Sequence, residues 1–70
     1  MTSQVESNLI KSSMEAILSS NERIKEILVQ IDGSFPGVIS RFTPHGLEDV
    51  LVQAKRIEDE AHSVEKLVSR

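Results

Sequence analysis

Apolar residues in the first half of the chain return at intervals that alternate between four and three: Ile10, Met14, Ile17, Ile24, Leu28, Ile31 and Phe35, with Asn21 occupying the one polar step of the series. Such spacing keeps one stripe on one side of a helix and is the heptad signature of helix-on-helix packing. In heptad terms Ile fills every d position (10, 17, 24 and 31), and the a positions are Met14, Asn21, Leu28 and Phe35. The second half carries the same rhythm through Leu47, Val50, Ala54, Ile57, Ala61, Val64 and Val68. Its a positions include the small residues Ala54 and Ala61, which let a neighbouring backbone come close. The two seams are expected to form an intramolecular core.

Local signals place the ends of these segments. Ser3-Gln4-Val5-Glu6 fits a capping box, so the first helix is expected over about residues 4–32, stopping at Asp32-Gly33. Ser19-Ser20-Asn21-Glu22 offers a second capping box. The heptad phase passes through it without a slip, which favours one long helix; a break there would make a three-helix arrangement. Residues 33–43 read as a linker, with Pro36-Gly37 suited to a type II turn, room for a short helical turn over 36–42, and Val38, Ile39 and Phe42 folding back onto the helix ends. Thr43-Pro44 reads as an N-cap followed by Pro at the first helical position, giving a second helix over about 44–69. The fold class is therefore all-α: a single helical domain spanning residues 1–70, folded as an antiparallel two-helix hairpin.

A hairpin buries one stripe on each helix, and this sequence has more than one. Leu9, Ala16 and Ile27 flank one side of the first seam, with Leu18 and Val29 on the other, and Leu51 and Leu67 flank the second seam. Surplus apolar surface of this kind marks an interface. The expected partner-facing residues are Leu9, Leu18, Ile27, Val29, Leu51 and Leu67, and the partner is protein: further copies of the chain or the helices of another subunit. Asn21 at an a position has the character of a buried polar residue that fixes register; a cap or a solvent-facing position is the other expectation for it.

Composition narrows the field further. Hydrophobic residues make up 39% and charged residues 27%, with only Phe35 and Phe42 aromatic, so any core is aliphatic. The net charge of −3 and the lack of a Lys/Arg stripe argue against nucleic acid, which needs several cations to neutralise phosphates. Mixed or acidic polar faces argue against a membrane surface, and no apolar run approaches the roughly 18 residues of a membrane span. There is no cysteine. A cytoplasmic setting is the default expectation, with the nucleus also open. Catalytic chemistry finds little footing: His45 stands at a helix start, Glu58 and His62 share a face without further ligands, and no serine lies in a strained-turn motif. No metal, cofactor or catalytic residue is expected. The function expected is non-catalytic association, as a self-assembling helical bundle or as a small subunit or chaperone of a larger complex. An acidic inhibitor covering a basic surface is the alternative.

Overall fold

The computed structural model describes residues 3–69, and every regular element among them is helical. Helix α1 spans Gln4–Ser34, a single 3-10 turn spans Ile39–Arg41, and helix α2 spans Leu47–Val68. The two α-helices pack side by side and antiparallel in a body of 49 × 18 × 13 Å. No helix in it is long and apolar enough to cross a membrane.

The start of α1 follows from Ser3. Its backbone is extended, and its hydroxyl accepts the Glu6 amide at 3.1 Å, satisfying one of the donors that a helix start leaves free. The helix then runs unbroken through Ser19 and Ser20. It also continues past the expected stop: Gly33 remains helical, and the Phe35 amide still reaches the Ile31 carbonyl at 2.8 Å. The reversal comes one step later. Val38 donates to the Phe35 carbonyl at 3.1 Å, with Pro36 and Gly37 between them and Gly37 at φ +84°, which is the type II turn that this dipeptide predicts.

The entry to α2 differs from the Thr43-Pro44 expectation. The helix begins at Leu47, and the cap residue is Gly46 at φ +62°, a conformation that costs any residue with a Cβ. A Cβ there would also lie 2.7 Å from Ser40 Oγ, so that hydroxyl would have to turn away. Thr43 and His45 contribute from outside the helix. The Thr43 hydroxyl and the His45 amide both donate to Asp49 Oδ2, at 2.7 and 2.9 Å, and tie the loop to the first turn of α2. Both hydrogen bonds favour the ionised carboxylate, Thr43 the more strongly, and hold Asp49 below its usual range.

The helices meet along a narrower line than the heptad pattern predicts. The buried or half-buried a positions are Ser7, Met14, Asn21 and Leu28 on α1 and Leu47, Ala54, Ala61 and Val68 on α2. The antiparallel register is fixed by Asn21, whose side-chain amide donates to the Ala54 carbonyl at 2.9 Å. That settles Asn21 as a buried polar residue of the seam. Four d positions correct the expectation of an internal core: Ile17, Ile24, Ile31 and Ile57 keep 42, 56, 36 and 42% of their surface exposed, while Ile10, Val50 and Val64 are half-buried. Phe35 is exposed as well, and Phe42, expected to fold back, is 84% exposed, whereas Ile39 is buried. The cause is the size of Ala54 and Ala61, at 6 and 4% exposure. With methyl groups at the closest approach, α1 settles directly over the a line of α2. Positions d and e are then left on opposite flanks instead of one of them closing the core.

Candidate interaction surface

Because the a lines face each other, each broad face of the hairpin takes one flank from both helices. One face carries the d positions: Ile10, Ile17, Ile24 and Ile31 from α1, with Val50, Ile57 and Val64 from α2. Between the helices these side chains border a run of adjoining shallow depressions. Ile24, Val50, Gln53 and Ile57 line one end, with Lys25, Thr43 and Asp49 beside them; Met14, Ile17, Ile57 and Val64 line the other, with Glu60 beside them, and Ile17 and Ile57 stand at the junction. The floor is Ala54 and Ala61 together with Asn21. The result is a long apolar groove whose walls are β-branched and stiff at χ1, so its shape is largely preset.

The other broad face carries the e positions: Lys11, Leu18, Lys25 and Asp32 from α1, with Leu51, Glu58 and Glu65 from α2. Polar pairs lace it. Lys25 Nζ forms an ion pair with Glu22 at 2.9 Å, and His62 Nδ1 lies at hydrogen-bond distance from Glu65, 3.1 Å. The Lys25 ammonium is held above its usual range, first by its hydrogen bond to Glu22 and then by the Glu22 charge, with a further contribution from Glu58 on the facing helix. Across the e positions and the b positions beside them stand nine ionised side chains. Across the d positions and the g positions beside them stand two, Glu6 and Glu60, and Glu60 pairs with Arg56 at 3.6 Å.

The six residues that the sequence points to as partner-facing do not form one patch. Leu9, Ile27 and Leu67 lie exposed on the isoleucine side, at positions c or g beside the d stripe. Val29 and Leu51 are exposed on the charged side, and Leu18 is half-buried there against the seam. Ile17, Ile24 and Ile57, which heptad spacing alone assigns to the core, are exposed as well. The signal that redirects them is the pair of alanines at a positions, which brings the helices together along a instead of between a and d.

Candidate chemistry stays scattered. His45 and His62 are exposed, and Glu58 and His62 have no third ligand; among the described residues no group of three or more metal-binding side chains assembles. Comparison of the chain with protein-family models, with curated proteins and with solved structures gives no match.

Proposed function

We propose that this protein is a non-catalytic helical association module whose binding surface is the isoleucine face. One observation carries the reading. The described chain exposes 5,445 Å², against about 4,400 Å² for a compact monomeric protein of 7.8 kDa, an excess of about 1,000 Å². That excess lies beside a slender core. The buried apolar side chains are Ile39, Ala54 and Ala61, and none of the large ones falls below 2% exposure. Three such residues cannot offset the conformational entropy of a chain of this length. A partner that covers the d stripe supplies the missing core. A four-helix body then contains Ile17, Ile24, Val50 and Ile57 as interior residues.

The charged face supports the choice of side. Covering it would strip water from Lys11, Lys25, Glu58 and Glu65, a cost that burial of Leu18 and Leu51 hardly offsets. An acidic inhibitor would use that face and bind a basic surface, but its cations are interleaved with its anions, which weakens any single-sign field.

The test is light scattering coupled to size exclusion over a hundredfold range of concentration, with circular dichroism on the same samples. A helical species at a multiple of 7.8 kDa, or a poorly helical chain that folds only in company, agrees with the reading. A fully helical, cooperatively unfolding monomer at every concentration overturns it.

A further inference from the structure

We infer that the occupant of the isoleucine face is a second copy of this chain, packed face to face about a twofold axis that crosses the Ile17–Ile57 pair. The inference rests on the association reading above and adds the partner and the geometry.

Three features of the face point to self-pairing. The first is area. The broad face measures 49 by 18 Å, on the order of 900 Å² in outline, and a standard stable interface takes ~800 Å² from each partner. The face and the surplus exposure of the hairpin are therefore both of the size that one dimer contact removes. The second is charge. In a twofold contact every residue near the axis meets itself, so a face with a net field of one sign repels its own copy. Here the charges beside the groove balance: Glu60, next to Ile17 and Ile57, is paired with Arg56 on its own helix, and Lys25 and Asp49, next to Ile24 and Val50, are of opposite sign. The charged face of the same hairpin fails this condition at Glu58 and Glu65. The third is where the apolar bulk sits. Asn21 pairs with the Ala54 carbonyl, and that register puts residues 14 and 61 at one level and 21 and 54 at the next. Ile17 and Ile57 fall between those levels, at mid-length, and both border the two depressions that meet there. A twofold axis through that point sets the Ile17–Ile57 pair of one copy on that of the other. It also lays isoleucine side chains into the shallow space that Ala54 and Ala61 leave open.

The chain itself provides the control, because Val29 is as exposed as Ile17 but stands on the opposite face. Purified wild-type protein, Ile17→Asp/Ile57→Asp and Val29→Asp are compared by light scattering and sedimentation equilibrium, each with circular dichroism. The wild type is expected at twice 7.8 kDa. Val29→Asp should keep that mass. The double aspartate should raise the dissociation constant by on the order of a hundredfold or more, as loss of a central anchor does. A second pair, Ile17→Ala/Ile57→Ala, retains helix propensity and should weaken the dimer by about tenfold, which separates loss of contact from loss of fold. Dissociation by Val29→Asp with the double aspartate still dimeric would move the interface to the charged face and overturn the inference. A wild-type monomer of low helicity would overturn self-pairing and leave the association reading standing, with a different protein as partner. A well-folded wild-type monomer would overturn both.

Discussion

The two broad faces of the hairpin are built from equivalent heptad positions, yet they differ in kind. Positions d and e stand at equal angles on either side of a, but Ile17, Ile24, Ile31 and Ile57 are exposed on the d side, whereas Lys11, Leu18, Lys25, Asp32, Glu58 and Glu65 are half-buried on the e side. On the d face the chain places Ile and Val throughout; on the e face it alternates Leu18 and Leu51 with Lys11, Lys25, Glu58 and Glu65. A charged e position satisfies itself with an exposed pair such as Lys25–Glu22 and needs no partner. An isoleucine at d has no such recourse. The asymmetry separates two things that heptad spacing runs together, the line of closest packing and the stripe of apolar bulk. The line at closest approach is made of small residues, and the bulk of the apolar surface lies to one side of it.

The contrast depends on the alanines, so enlarging one is the strongest way to break it. Ala61→Leu puts a branched side chain where the helices touch. Overpacking of this type costs about 1–3 kcal/mol. Urea denaturation should show that loss, and the d stripe should lose its shape with it. Asn21→Ala comes next. It removes the hydrogen bond to the Ala54 carbonyl, with an expected loss of about 1 kcal/mol and a broader set of helix registers. Asn21→Leu should instead raise thermal stability while giving mixed masses by light scattering, since a buried polar residue at an a position holds register at a cost in stability.

A comparison of Leu18→Ala with Ile24→Ala sharpens the difference between the faces themselves. Leu18 is half-buried against the seam, and Ile24 is 56% exposed. At dilutions where the chain is monomeric, Leu18→Ala should cost about 1 kcal/mol and Ile24→Ala about half of that, in proportion to the area each keeps from water. In the assembled state the order should invert, with Ile24→Ala the more damaging. Urea midpoints measured at two protein concentrations read both values. Equal effects at both concentrations would remove the distinction between the faces.

Much of this architecture is legible in the chain. The Ser3 cap, the long first helix, the Pro36-Gly37 turn and the seven-residue rhythm are local, and local signals survive into the structure. What the rhythm does not settle is phase. A heptad pattern names a and d together, and helices of ordinary side chains pack between them. Ala54 and Ala61 shift the contact onto a alone, and that is a property of two helices at once. Position 21 shows the same limit: Asn there is compatible with a cap, with solvent and with a seam, and only the facing Ala54 carbonyl decides. The start of α2 was displaced from Thr43 to Gly46 for a related reason. The loop returns past Ser40 and enters α2 through Gly46 at positive φ, and nothing next to Gly46 in sequence reports that path.

The smallest effect concerns that start. Asp49 accepts hydrogen bonds from Thr43 and His45 more strongly as a carboxylate than as the neutral acid, and its folded-state pKa lies below the ordinary value near 3.8. For an acid whose pKa is depressed by folding, the stabilisation is complete above the unfolded value and is lost as the pH falls through the folded one. The tie between the loop and α2 should therefore be intact at neutral pH and loosen only below about pH 4, where Asp49 takes up its proton. Amide hydrogen exchange of His45 and of the first turn of α2, followed between pH 6 and pH 3 after correction for intrinsic rates, should show extra opening at the acid end in the wild type. Thr43→Ala should shift that opening to higher pH by relaxing the Asp49 pKa toward its usual value. Both effects belong to the end of the hairpin. Amide exchange around Ile17 and Ile57 should show no extra opening through the same titration, because the tie that loosens is confined to residues 43–49.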